Sequence, residues 1–373
     1  MTSPRVVDVT QWYSPTSGGI RTYLHAKARW ASDTGAFHAA VLTGPRDGES
    51  LLMGSPAMVV RGRTPHATWG YRVALRAHGV IAAVARLAPD VVVVHDALAF
   101  PRALADWAAA SGVRLVQVCH SHLADAVQWA PRLVRRPAGA ALAHIQRRAL
   151  AVGEVVLVAS NSVRDAIQDD SSAAVVVSPL GIDLATFCAA RPDPDVRRRL
   201  DIAGDEPMML YAGRLSREKG VELLPGMLRE QPGVLVVAGS GSARSRVEHQ
   251  CRKAGIAHRV RWLGHVTDRQ GLATLMATAD CFVHPAPREA YGLALLEALA
   301  AGSRLVASDG IGIAPVIRDR GAVLVPGDDP AALARGVATA LEQPRPRPDL
   351  SDLSWDRVFR REWDLYRRLV EAA

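Results

Sequence analysis

Short runs of β-branched residues alternate with amphipathic, alanine-rich stretches along the whole chain. That alternation is the pattern of βα units feeding parallel sheets; a helix bundle would lack the β-branched runs. In the first half the strand-like runs are 6–9, 39–43, 91–95, 114–119, 155–159 and 175–178; in the second they are 208–212, 234–238, 260–263, 281–284, 305–307 and 322–325. Two similar α/β sheets are expected. Between them, 179–207 is rich in proline, aspartate and glycine with one brief helical signal at 195–200, which places the boundary there. After the proline-rich 344–348, apolar residues at Val358, Phe359, Trp363, Tyr366, Leu369 and Val370 recur at helical spacing. The expected organisation is an N-terminal domain 1–183, a C-terminal domain 184–350 and a closing helix within 351–373.

The 373 residues are 49% hydrophobic and 22% charged, which suits two folded domains and excludes a disordered scaffold. Cys119, Cys188, Cys251 and Cys281 are widely spaced and form no C-x-x-C pair, so neither a disulfide framework nor a thiolate metal site is expected. The start passes from a few polar residues into the first strand with no long apolar run, and no later run is long enough to span a bilayer. A cytoplasmic protein is expected. The net charge of +8 favours acidic partners but does not choose among nucleic acid, anionic lipid and phosphorylated small molecules.

Ligands of open parallel sheets sit beyond the carboxyl ends of the strands, so the informative residues lie just after strands. One such segment, Gly213-Arg214-Leu215-Ser216-Arg217-Glu218-Lys219-Gly220, puts a glycine turn and the cations Arg214 and Lys219 near a helix start. Arg214 offers a bidentate fork and Lys219 a compact charge, which together outline a diphosphate clamp. A second segment, from His284-Pro285 through Glu289-Ala290-Tyr291-Gly292-Leu293 to Glu297, ends a strand in a proline loop and opens a helix near Gly292. The amides of Tyr291, Gly292 and Leu293 are expected helix-start donors for an anion or sugar hydroxyls. Glu289 and Glu297 lie on the order of 10 Å apart at about 1.5 Å per helical residue, too far to act as acid and base on one bond but suited to the two ends of an elongated ligand.

Gly213-Arg214 with Lys219-Gly220, followed by Glu289 and Glu297 as E-x7-E, resembles the donor site of retaining GT-B glycosyltransferases of family 4, a likeness covering nearly all of the second half. Ser178-Pro179-Leu180-Gly181-Ile182-Asp183 resembles the segment preceding that family's second domain. Trp262-Leu263-Gly264-His265-Val266 resembles its base-contacting loop. The resemblance implies an α/β, GT-B architecture: two Rossmann-like domains facing across a cleft, with the C-terminal helix returning to the first. It assigns Arg214 and Lys219 to the diphosphate, Glu289 and the amides of Tyr291, Gly292 and Leu293 to the sugar, Glu297 to the ribose, and Gly264 and Val266 to the base. In the first domain, Ser14 to Ile20 with Gly18 and Gly19 resembles the family's glycine loop, and His120 in Val118-Cys119-His120-Ser121-His122 fits its strand-end histidine better than His122 does. His120 is the expected catalytic histidine, hydrogen-bonding an acceptor or donor hydroxyl as a neutral imidazole or an imidazolium with a charge that can switch near neutral pH, and His95-Asp96 is a competing candidate. Ala290-Tyr291 departs from the family pattern and implies a different lining of the sugar pocket, and Pro315 stands where a glutamate is usual, which leaves the identity of the donor open.

The implied activity is transfer of a hexose with retention from a nucleotide diphosphate-sugar, GDP-mannose first and a UDP-hexose otherwise, to a lipid-linked, glycan or small-molecule hydroxyl acceptor. No cofactor, no metal and no nucleic-acid partner are expected. Asp193-Pro194-Asp195 spells a metal-binding D-x-D but falls in the linker, and Gly239-Ser240-Gly241 lacks a third glycine, Arg244 standing in its place. Two other readings are a non-catalytic nucleotide- or polyanion-binding protein and a nucleotide-sugar epimerase of the same fold. Aromatic and basic residues mingle in 69–76 and 128–136, the composition of segments that lie at lipid headgroups, so peripheral attachment to an anionic inner membrane face is a further expectation.

Overall fold

The computed structural model describes residues 3–14, 18–63, 72–74, 76–95, 100–120, 123–127, 131–167 and 173–372. The chain divides into two compact units, Met1–Gly181 with Trp355–Ala373, and Ile182–Ser354. The N-terminal unit holds an eight-stranded sheet in the order β3-β4-β2-β1-β5-β6-β7-β8. Its strands are β1 Val6–Thr10, β2 His38–Gly44, β3 Gly48–Leu52, β4 Ser55–Arg61, β5 Val91–Val94, β6 Arg114–Cys119, β7 Val155–Val158 and β8 Ala174–Val177. All neighbours are parallel except the hairpin β3-β4. That hairpin is absent from the strand pattern read above. Its signal was the Met53-Gly54 turn, where both residues have positive φ, as the tight turns of hairpins require.

The sheet is buried on both faces, so its central strands read as unbroken apolar runs such as the four valines of β5. Alternation in β1 sends Val7 and Val9 into one layer and Val6 into the other. Asp8 shares the Val6 face, and so enters the apolar layer containing the helix Gly19–Thr34 and the C-terminal helix Trp355–Glu371. The latter packs on the former through Trp30 and Trp363, 4.8 Å between ring centroids, and Trp30 Nε1 donates to Asp356. The closing helix thus belongs to the N-terminal unit.

The C-terminal unit carries a six-stranded parallel sheet, ordered β11-β10-β9-β12-β13-β14. The strands are β9 Met208–Ala212, β10 Val234–Ala238, β11 Val260–Gly264, β12 Cys281–His284, β13 Arg304–Ser308 and β14 Val323–Val325. Numbered from its own first strand, this is the 3-2-1-4-5-6 order of doubly wound dinucleotide-binding sheets, whose direction of winding reverses between β9 and β12. A ligand crevice is expected beyond the carboxyl ends of these two strands.

Candidate active site

The loops that follow β9 and β12 meet at this reversal. Gly220 makes the meeting possible: its φ is +64°, and a Cβ there would lie 2.2 Å from the carbonyl oxygen of Pro285. Only glycine tolerates both conditions. The result is that Lys219 Nζ reaches Glu289 Oε1 at 2.6 Å. On its other side Glu289 accepts a hydrogen bond from His284 Nε2 at 2.5 Å. Burial opposes ionisation of Glu289, but Lys219 and His284 outweigh it and hold the carboxyl well below its ordinary range. Its backbone is pinned as well, because Gly312 N donates to the Glu289 carbonyl at 2.7 Å.

Arg214 lies exposed in the turn after β9, and the buried Tyr211 hydroxyl fixes that turn by donating to the Arg214 carbonyl at 2.7 Å. The neighbouring Gly239 packs so closely that a Cβ would sit 1.8 Å from the Gly213 oxygen. The Gly239-Ser240-Gly241 loop therefore owes its first glycine to backbone approach against the Arg214 turn. Gly292, at φ +108°, caps the helix Leu293–Ala300. Tyr291 is buried and Leu293 half-buried at this helix start. Glu297, one turn into the helix, is buried; burial raises its pKa, partly offset by Arg269, which donates to it at 2.9 Å. Gly264, at φ +70°, ends β11, and Val266 lies half-buried just beyond. Lys219, Glu289 and the helix start at Gly292 are thus brought into one place, whereas Glu297 is held by Arg269.

Sequence reasoning missed His284 and Arg269. His284 is the last residue of β12, at the strand end beside the positions used to select the other residues, so the same rule had come within one residue of it. Asp193 of the D-x-D is the N-cap of the helix Pro194–Arg199 and accepts from Asp195 N at 2.9 Å, a local capping role.

In the N-terminal unit, Gly18 and Gly19 lie exposed at the start of the helix Gly19–Thr34, and among the described residues, chain neighbours and the helix's own backbone aside, no atom comes within 4 Å of a Cβ built on either. Residues 15–17 of the glycine loop, Asp96 and His122 fall outside the described residues, as do 69–71, Leu75 and 128–130 of the basic aromatic segments. His120 follows β6, half-buried, with Nε2 2.9 Å from His95 Nδ1. The two competing histidines therefore form one pair. Burial and the neighbouring His95 lower the pKa of His120 to about 3. Of the two forms expected for this histidine, neutral imidazole and imidazolium, these surroundings favour the neutral one near pH 7.

The chain belongs to the family 4 glycosyltransferases. Residues 193–353 match the family described as Glycosyl transferases group 1, and residues 17–186 that described as Glycosyltransferase Family 4. Over 350 residues the chain is 31% identical to the GDP-mannose-dependent alpha-(1-6)-phosphatidylinositol dimannoside mannosyltransferase of Mycobacterium tuberculosis, covering 91% of this chain and 88% of that protein. Among solved structures, sucrose-phosphate synthase from Thermosynechococcus elongatus is similar with a TM-score of 0.80 at 21% identity, covering 99% of this chain and 100% of that one. Anabaena HepE in complex with UDP is similar at a TM-score of 0.71 and 18% identity, covering 99% of each chain. The fold is GT-B, with two Rossmann-like α/β domains.

Proposed function

We propose that the protein transfers a hexose, with retention, from a nucleotide diphosphate-sugar to a hydroxyl acceptor, and that GDP-mannose is the donor, a UDP-hexose being the second choice. The observation that carries this reading is the Lys219-Glu289-His284 cluster at the reversal point of the C-terminal sheet. An ammonium has three donors, so Lys219 can keep Glu289 and still turn toward an incoming diphosphate. Arg214 then grips the same diphosphate, and Glu289 with the helix-start amides meets sugar hydroxyls. In the reaction the bond from the anomeric carbon to the diphosphate oxygen breaks as the acceptor oxygen bonds to that carbon on the same face. The acceptor proton passes to the departing diphosphate, whose charge Arg214 and Lys219 stabilise without a metal. His120 serves a sugar or acceptor hydroxyl as a neutral hydrogen-bonding group. The 31% identity to a GDP-mannose-dependent enzyme supports the donor, and the UDP complex of HepE supports the alternative.

Labelled GDP-mannose, UDP-glucose and UDP-galactose incubated without acceptor test this. Slow hydrolysis of one donor is expected; an isomerised donor would indicate an epimerase, and binding with no turnover a recognition protein. The anomeric configuration of the product, read by NMR, decides retention.

The acceptor side is proposed to lie on an anionic membrane surface. The helix Arg132–Leu150 exposes Leu133 at 91% and Val134 at 54%, next to Arg135 and Arg136, an apolar tip with basic flanks suited to headgroups. Among the described residues no helix is long and apolar enough to cross a membrane. Co-sedimentation with anionic but not neutral vesicles, reversed by moderate salt and weakened by Arg132→Gln, Arg135→Gln and Arg136→Gln together, is expected. Equal binding to both vesicle types would count against it.

A further inference from the structure

Beneath His120 lies a set of buried charged groups that the proposed reaction does not use. Asp8 and Lys27 are fully buried, with Lys27 Nζ 3.0 Å from Asp8 Oδ1. Asp8 Oδ1 also faces His95 Nε2 at 2.6 Å, and Oδ2 faces His38 Nε2 at 2.6 Å. From the C-terminal helix, Glu362 lies 3.8 Å from Lys27 Nζ and accepts from the Tyr23 hydroxyl at 2.5 Å. Burial resists charge on Asp8, but Lys27 and the two imidazole hydrogen bonds keep it ionised, well below its ordinary range.

An ionised carboxylate only accepts, so His95 must carry its hydrogen on Nε2. An imidazole carrying a single hydrogen, given from Nε2 to Asp8, has a lone pair on Nδ1, and the 2.9 Å contact between His95 Nδ1 and His120 Nε2 is then made with a hydrogen on His120 Nε2. The remaining nitrogen of His120, Nδ1, has no partner among the described residues.

We propose that Asp8 and His95 are positioning residues that fix His120 as its Nε2–H tautomer, so that His120 meets its ligand with Nδ1 as a hydrogen-bond acceptor. Nδ1 thereby selects a ligand group that donates, such as a sugar or acceptor hydroxyl, over a carbonyl or phosphate oxygen. The physical logic is that of a buried carboxylate orienting an imidazole, extended by one ring. The ligand's identity rests on the glycosyltransfer reading, but the tautomer does not.

Imidazole 15N spectra of the full-length protein near pH 7.5, assigned with His120→Gln and His95→Gln, test the tautomer directly. Both His95 and His120 are expected as single Nε2–H forms. His95→Phe removes the acceptor; His120 should then populate the Nδ1–H form, and kcat should fall by about tenfold or more with donor KM changed less than about twofold. His95→Gln, whose carbonyl can accept from Nε2–H, should restore both. A wild-type His120 protonated on Nδ1 overturns the proposal, as does a folded His95→Phe protein with wild-type tautomer and rate. If His95→Phe does not fold, the wild-type spectrum still decides. If no donor is turned over, the glycosyltransfer reading fails while the tautomer result stands.

Discussion

Each unit builds a cluster around one carboxylate at the point where its sheet reverses, yet the two clusters are opposites. Asp8 is closed off: its own side chain and those of Lys27, His38 and His95 are all at 0% exposure. Glu289 is open, with 19% of its side chain exposed and 26% of that of its partner Lys219. A fully buried charge is tolerable only when every partner is present, and removing one leaves another uncompensated. An accessible pair keeps the capacity to exchange a partner for a ligand. Burial thus suits Asp8 to holding other groups in place, and exposure suits Glu289 to meeting the donor.

The comparison breaks most visibly in stability. Asp8→Ala should destabilise the protein by about 3–5 kcal/mol, because buried Lys27 loses its 3.0 Å carboxylate partner and keeps only Glu362 at 3.8 Å; urea unfolding measures it. Since the Asp8 pKa is depressed on folding, its contribution is fully present above the unfolded value of about 3.9. It is lost as pH falls through the lower folded value, so wild type should lose its advantage over Asp8→Ala only in strong acid. An equal difference at pH 7 and pH 2 would contradict the assignment.

The open cluster should fail in the other way. Lys219→Ala and Glu289→Ala are each expected to lower turnover by about a hundredfold or more while leaving the urea midpoint within the range of an ordinary surface change. Near-normal rates in both would remove the cluster from the chemistry. Gly220→Ala sharpens the point, since it alters neither charge. Its strained φ and the contact with Pro285 should cost roughly 1–3 kcal/mol and separate Lys219 from Glu289, lowering turnover more than stability alone explains. The smallest effect is expected from EDTA: turnover should be unchanged, because the diphosphate charge is met by Arg214 and Lys219. Loss in EDTA with recovery in manganese would return Asp193 and Asp195 to consideration.

The amino-acid sequence by itself determined the two parallel sheets, because buried central strands need continuous apolar runs and those runs are local. It also marked Arg214, Lys219, Glu289 and Glu297, since strand ends and helix starts are where backbone donors face a ligand. What it left out is long-range. No pattern around Asp8, in an otherwise apolar strand, tells that it meets Lys27, His38 and His95, or that Glu362 in the last helix joins them across 335 positions from Lys27. His95 and His120 looked like competitors because each ends a different strand. Only the adjacency of β5 and β6 made them a pair. The β3-β4 hairpin escaped for a related reason: as an edge element it exposes most of β3 and carries no apolar run to read. Charge pairing in the interior is decided by which strands and helices become neighbours, and sequence distance carries almost no information about that.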